Sequence, residues 1–231
     1  MSRIVRGVAA VCLAAGGALA PAAGAGAQSL LDRPPDLNGG WVGSRGQVYF
    51  NFVHRFVSSD APERKVSNAP NFTLAAGLPF RALLGVNYAT NSTLAPRYPN
   101  EWEFFLRHAL LQQDAGLPLD VSAQVAYNLA SDGLDGELSL GRRLGPLRLV
   151  ASGRVLADAF DEGELRFAVG GGGTLRISRF VALAGDVATL LEPREEDGDQ
   201  PEERVAWGAG LHIAIPSTPH TFSLQAANTN N

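Results

Sequence analysis

The chain has one cysteine, one lysine and no long apolar run beyond its first residues. The cysteine, Cys12, lies in a segment that we expect to be removed, so the mature chain has no disulfide and no thiol chemistry. The lysine, Lys65, lies in a polar link. After residue 27 no apolar run approaches the length of about 18 residues that a membrane helix needs. If the protein lies in a membrane, it does so as a closed β-barrel, the other fold that satisfies every backbone group in lipid.

Residues 1–27 have the anatomy of a secretory signal peptide. Two arginines, an apolar run and a small-residue cleavage site follow in order: Arg3 and Arg6, residues 8–20, and residues 25–27. The apolar run is too short to span a bilayer as a helix. A lipoprotein would need an acylated Cys12, but Val11 precedes it where a small residue is usual. We therefore expect export and cleavage after residue 27, in a Gram-negative bacterium.

Beyond the signal, apolar side chains alternate with polar or small ones. The clearest copy places the following residues on one face: Trp102, Phe104, Leu106, His108 and Leu110. A second copy spans residues 204–215. A period of two over about ten residues predicts β-strands, since successive side chains point to opposite sides of a sheet. Repeated behind a signal peptide, it is typical of a transmembrane β-barrel.

The alternation predicts about eleven strands: 47–57, 70–79, 81–90, 101–113, 119–129, 135–144, 147–156, 164–176, 179–191, 204–215 and 220–228. Tight turns rich in Gly and Pro alternate with polar links at 58–69, 91–100, 158–163 and 192–203. Short turns at one end and long loops at the other indicate an antiparallel up-and-down barrel with periplasmic turns. We expect a lead-in at 28–46, with the N-terminus in the periplasm, and one barrel domain at 47–231.

Aromatic residues on the apolar face are sorted by strand end. Seven lie near the long-loop ends, namely Phe56, Phe72, Tyr88, Trp102, Tyr127, Phe167 and Trp207, and Phe180 and Phe222 lie by the short turns. Amphipathic rings favour the headgroup level, so the sorting predicts two aromatic girdles around an aliphatic band. Ordinary aromatic enrichment in strands is the alternative explanation.

The strand number is odd. Bacterial single-chain barrels use an even number of strands, and an open barrel leaves two unpaired edges in lipid. We therefore expect about twelve strands, of which about eleven are visible in this sequence.

The polar face predicts a charged lumen. Its candidate residues are Arg55, Glu103, Arg107, Glu137, Arg154, Glu164, Arg166 and His212, and some can pair across strands, such as Arg154 with Glu164. Arginines lining a passage would favour anions over cations. A salt-bridge network that plugs a narrow barrel is an equally good interpretation, because both need charged interior residues.

No residue set predicts catalysis, a metal site or a cofactor. The four histidines, His54, His108, His212 and His220, lack the spacing of a metal site. His220 and Ser223 are close in sequence but have opposite strand parity, which weakens a nucleophilic pair. The acidic loop 192–204 matches no calcium loop and indicates a solvated surface. We therefore predict no enzyme.

Two short motifs resemble a family of bacterial β-barrel proteins of unknown function. They are residues 52–56 in the first strand and residues 220–225, followed by 228–230, in the last visible one. The resemblance implies an outer-membrane barrel over nearly the whole mature chain and implies no activity.

Three hypotheses follow. The first is a monomeric, porin-like outer-membrane barrel, acting as a narrow channel or as a structural barrel with an arginine-rich lumen. Its expected partners are the lipid bilayer, lipopolysaccharide, the barrel-assembly machinery and small anionic solutes, with no nucleic acid. The second is a soluble periplasmic barrel whose apolar face points inward onto a small apolar ligand. The third is a lipid-modifying barrel enzyme, which requires a Ser and a His converging at one rim.

Overall fold

The computed structural model describes residues 30–58, 62, 66–92, 94–95, 97–192 and 205–229. Eleven antiparallel strands form one sheet in chain order: β1 (Val48–Ser58), β2 (Val66–Leu78), β3 (Ala82–Thr90), β4 (Asn100–Leu111), β5 (Asp120–Asn128), β6 (Gly133–Leu144), β7 (Leu147–Leu156), β8 (Arg166–Arg176), β9 (Val181–Leu190), β10 (Ala206–Ala214) and β11 (Thr221–Ala227). The predicted all-β, up-and-down class is confirmed. The predicted signal peptide lies outside the described residues.

The strands agree with the prediction to within a few residues, and β2 shows the largest difference. It begins at Val66, inside the predicted link 58–69, and pairs there with Ser58. The polar residues of this stretch predict a link, yet Ser67 and Asn68 continue the ladder. A hairpin can extend beyond the apolar part of its strands, where the backbone hydrogen bonds continue but the side chains are polar. A strand predicted from composition alone is therefore too short.

Short turns join β2 to β3, β6 to β7 and β8 to β9 at one end of the sheet, whereas residues 112–119 join β4 to β5 there. Between β6 and β7, Leu144 pairs with Leu147, and only Gly145 and Pro146 lie between them. Gly145 has a φ of 60°. A positive φ at the first of two turn residues suits glycine and matches the twist of the adjoining strands.

The two faces of the sheet differ sharply in exposure. On one face large apolar side chains are exposed, as shown by Phe50 (62%) and Phe222 (59%). On the other, charged and polar side chains are buried, as shown by Arg107 (2%) and His212 (3%). A water-soluble domain usually has the opposite arrangement, because burial of apolar surface is what stabilises it.

The sheet curls around its polar face and is not closed. Residues 30–46, which we call the interior segment, pack against that face. The edge strands β1 and β11 are not paired with each other. They approach at one end, where Arg55 of β1 donates a hydrogen bond to the carbonyl of Thr229 after β11. With eleven alternating strands, β1 and β11 run parallel, so the antiparallel pattern does not continue across the gap between them.

The described helical segments are single 3-10 turns at Leu30–Asp32, Gln113–Ala115 and Ala159–Asp161. None of them has the length and apolarity that crossing a membrane requires.

Candidate functional site in the interior of the sheet

The interior segment binds strands on opposite sides of the curled sheet. Its first anchor is Asp32, whose side chain is only 2% exposed. Arg176 of β8 donates to both carboxylate oxygens, from Nε at 2.9 Å and from Nη2 at 2.8 Å. Arg143 of β6 donates to the same carboxylate. Two parallel N–H···O bonds to a buried carboxylate make a strong and directional contact, so this clamp fixes the start of the segment.

A second anchor lies around Asp36. Oδ2 of Asp186 in β9 accepts hydrogen bonds from the backbone nitrogens of Asp36 (2.8 Å) and Leu37 (3.2 Å). The side chain of Asp36 pairs with Arg55 of β1 at 3.0 Å. Its other oxygen, Oδ2, is buried and has no hydrogen-bond partner among the described residues.

The two carboxylates of this anchor face the same spot on β10. A Cβ added at Gly208 would contact Asp36 Oδ2 and lie 2.9 Å from Asp186 Oδ1. Burial raises the pKa of the Asp36 carboxyl to about 6; Arg55 opposes this rise and Asp186 adds to it. Burial lowers the pKa of the nearby Arg33 guanidinium. The anchor therefore holds a carboxyl that gains a proton far more readily than usual.

Two interior arginines bind the backbone of the segment. Arg148 of β7 donates from Nη2 to the carbonyl of Gly39 at 3.2 Å. Arg107 of β4 donates from Nη1 to the carbonyl of Trp41 at 3.0 Å, and its guanidinium lies 5.9 Å from the Trp41 ring centre. Both arginines are 2% exposed. Two backbone carbonyls of the interior segment thus accept hydrogen bonds from buried guanidinium groups.

An apolar cluster lies beside Arg107 in the interior. Trp41 and Val42 of the interior segment pack with residues of β2 to β5, namely Ala75, Leu83, Phe105, Ala109 and Ala126. The ring of Tyr49 packs edge-on against Trp41, with ring centres 4.9 Å apart. The segment thus contributes the central side chains of the only apolar cluster found in the described interior.

Further up, Arg154 of β7 lies between two carboxylates on different strands. It is 3.6 Å from Glu103 of β4 and 3.8 Å from Glu137 of β6. The pairing of Arg154 with Glu164, suggested by the sequence, is not observed. Glu164 precedes β8, its side chain is 69% exposed, and its ion pair at 3.6 Å is with Arg166.

The structure brings most of the predicted lumen residues to the polar face. Buried or half-buried there are Arg55, Glu103, Arg107, Glu137, Arg154, Arg166 and His212. The sequence separates residues 28–46 from the strands but gives no sign that residues 30–46 bind the strands' polar face. Their position depends on contacts between residues more than 100 positions apart, such as Asp32 with Arg176.

A small polar cavity remains between the interior segment and β1 to β4. Its volume is about 120 Å³. Charged residues of both signs line it, including Arg33, Asp36, Arg55, Glu101 and Arg154. With positive and negative groups interspersed, the cavity has no single preferred sign of ligand charge.

The predicted girdle residues lie on the apolar face. Exposed there are Phe56, Trp102, Phe167, Trp207 and Phe222, and half-buried are Phe72, Tyr88, Tyr127 and Phe180. Three rings on adjacent strands are in contact: Phe72 stacks on Tyr88 with ring centres 5.1 Å apart, and Tyr88 is tilted against Trp102 with ring centres 4.7 Å apart. The ladder sets these three residues opposite one another. Phe180 lies in the turn before β9, as expected for the short-turn level.

The polar face also holds a contact that the sequence reasoning missed. Nδ1 of His212 lies 2.6 Å from Oγ of Ser223, whereas nearness in sequence pairs Ser223 with His220. The signal was available: a tight turn at 216–219 sets residue 212 opposite residue 223. Among the described residues, no group of three His, Cys, Asp or Glu side chains is arranged to hold a metal ion.

No protein-family model matches the chain, and no curated protein matches it significantly. The resemblance to an uncharacterised family of bacterial β-barrels therefore stays a prediction.

Proposed function

We propose that the protein is an outer-membrane β-barrel whose interior is occupied by its own residues 30–46. The observation that carries this proposal is the inverted distribution of side chains, with apolar residues exposed and ionised residues buried. A lipid-facing exterior around a polar interior is the arrangement that a bilayer requires of a strand-built protein. The proposed partners are the lipid bilayer, lipopolysaccharide and the barrel-assembly machinery.

Fractionation and gel migration test this location. We expect the mature chain in the outer-membrane fraction, extracted only by detergent, and we expect folded and boiled samples to migrate differently on a gel. A protein that stays in the periplasmic fraction without detergent contradicts the proposal. The test does not depend on any particular activity.

Within the barrel class, the contacts favour a structural barrel with an occupied interior over an open anion channel. The interior arginines are already bound: Arg107 and Arg148 hold backbone carbonyls, and Arg176 holds Asp32. Small anions would have to displace the interior segment to pass. We expect planar bilayers that contain the full-length mature chain to show no conductance. A small, anion-preferring conductance is expected only when the segment is released.

A conductance experiment separates the two interpretations. Steady conductance in the unmodified protein that changes in Arg107→Ala or Arg154→Ala would favour the channel. Silence in the unmodified protein, with brief openings after Asp32→Asn, would favour the occupied barrel.

The soluble-carrier hypothesis needs an apolar interior with space for a ligand. The apolar cluster in the described interior is filled by Trp41 and Val42 of the chain itself. The adjacent cavity is lined by charged side chains of both signs as well as by apolar ones such as Val53 and Phe72. These observations favour the membrane proposal over an apolar-ligand carrier.

A further inference from the structure

Ser223 and His212 form a pair that the interior ion network does not use. Oγ of Ser223 lies 2.6 Å from Nδ1 of His212, and Nε2 of His212 lies 3.1 Å from the backbone carbonyl oxygen of Arg33. The register of β10 and β11 sets the two side chains directly opposite each other. A hydroxyl, an imidazole and a carbonyl are thus connected in series.

The carbonyl of Arg33 decides where the imidazole carries its proton. A carbonyl oxygen only accepts hydrogen bonds, so Nε2 of neutral His212 must be the protonated nitrogen. Nδ1 is then free to accept the proton of the Ser223 hydroxyl. A serine that donates to an imidazole oriented by a third group has the arrangement of an activated nucleophile.

Access to the pair differs between its two members. His212 is 3% exposed, whereas Ser223 is exposed on the edge strand β11. Among the described strands β11 pairs with β10 alone. On its outer face, Phe222 and Leu224 are 59% and 66% exposed. Phe222 and Leu224 flank the exposed Ser223 in this strand, so an ester whose carbonyl group reaches Ser223 can keep an attached apolar chain against them.

We propose that Ser223 is a nucleophile, that His212 is its general base, and that the site cleaves carboxylic esters with an apolar acyl chain. Oγ of Ser223 attacks the ester carbonyl carbon while its proton passes to Nδ1 of His212. The bond to the leaving alcohol breaks as that oxygen takes the proton from Nδ1. Water, deprotonated by the same nitrogen, then releases the carboxylic acid and restores the serine.

The preference for an acyl chain rests on the proposed membrane location, whereas the serine chemistry does not. Arg33 belongs to the interior segment, so release of that segment would remove the carbonyl that orients His212. Ser223 should therefore be reactive when the interior segment is bound and less reactive when it is released.

A fluorophosphonate probe tests the serine chemistry. The full mature chain, folded in detergent micelles, is treated with the probe, and the adduct is located by mass spectrometry. We expect an adduct at Ser223 that is lost in Ser223→Ala and in His212→Gln and kept in Ser67→Ala, an exposed serine of β2. An absent adduct in the folded wild-type chain, or an equal adduct in His212→Gln, overturns the proposal.

A cysteine variant keeps the test independent of any folding defect in the histidine variant. In Ser223→Cys, the imidazole should draw the thiol proton, and we expect iodoacetamide to react about tenfold faster than in Ser223→Cys/His212→Gln. Gel migration before and after boiling verifies that both variants are folded. Equal rates in two folded variants overturn the role of His212.

Ester chain length tests the acyl preference separately. Faster cleavage of a p-nitrophenyl decanoate than of the acetate by the wild-type chain supports it. Equal or faster cleavage of the acetate overturns the acyl preference while leaving the serine chemistry in place. Failure of the membrane location would be seen in the fractionation experiment, so the two failures can be told apart.

Discussion

Asp36→Asn is expected to tighten the interior segment at neutral pH and to remove part of its pH dependence. The Asp36 carboxyl is buried beside Asp186, and burial raises its pKa from 3.8 to about 6. The docked segment therefore favours the protonated carboxyl. Its contribution to docking is fully present below pH 3.8 and is lost as the pH rises through about 6.

The magnitude follows from the same two values. A rise in pKa from 3.8 to about 6 corresponds to about 3 kcal/mol of docking free energy, or roughly a hundredfold in the docking equilibrium. Asparagine is uncharged at every pH and nearly isosteric with the protonated acid. The substitution removes the ion pair with Arg55. However, burial raises the pKa of Asp36 by more than the attraction of Arg55 lowers it.

Trp41 provides the assay, because it lies in the interior segment and is 7% exposed. In a background with Trp102→Phe and Trp207→Phe, acrylamide quenching of Trp41 during a urea titration reports release of the segment. The compared quantity is the difference in release free energy between wild type and Asp36→Asn at each pH. Other carboxylates titrate in both proteins, so their contributions cancel in this difference.

We expect the variant to be more stable by up to about 3 kcal/mol at pH 7.5 and nearly equal to wild type at pH 4. Asp114→Asn, at an exposed carboxylate, is the matched control and should follow wild type. A variant that is less stable than wild type at pH 7.5 would refute the reasoning. Parallel curves over the whole pH range would do so as well.

Two further substitutions probe the anchors of the interior segment. Asp32→Asn keeps the size of the side chain but removes the charge that Arg143 and Arg176 share. It should lower the free energy of segment release by about 3 kcal/mol, measured by Trp41 quenching. An unchanged release free energy would contradict the clamp. Gly208→Ala places a methyl group against Asp36 and Asp186 and should loosen the same segment. Gly136→Ala is the control, because an added Cβ there meets nothing within 4 Å. Equal release free energies of the two variants would contradict the close packing at Gly208.

The strands and their faces could be predicted from the sequence because both follow from a local period. The alternation around Trp102 and around Trp207 assigns each residue to a face without any knowledge of its partners. Turn residues such as Gly145 and Pro146 then fix which strands are neighbours. The same logic placed Arg107 and His212 on the polar face.

The occupied interior could not be predicted in the same way. Residues 30–46 have no period, and their glycines and prolines resemble those of an ordinary loop. What holds them is a set of single contacts with distant strands, such as Asp186 with the backbone of Asp36 and Leu37. A backbone nitrogen bound by a distant carboxylate leaves no pattern in the sequence.

The Ser223 and His212 contact lies between these cases. Both residues lie in predicted strands, and the predicted turn between them fixes their pairing. The carbonyl of Arg33 that orients the imidazole comes from the interior segment. The pair was therefore predictable, but its third member was not.

The central claim is that the exposed apolar face contacts lipid and that the polar face encloses the interior segment. The three tryptophans test it directly, since Trp102 and Trp207 lie on the apolar face and Trp41 lies inside. Single-tryptophan variants are folded into vesicles that contain brominated lipid, and their fluorescence is compared with that in unbrominated vesicles. We predict strong quenching of Trp102 and Trp207 and little quenching of Trp41. Trp102 and Trp207 that are quenched by aqueous iodide and not by brominated lipid would contradict the account.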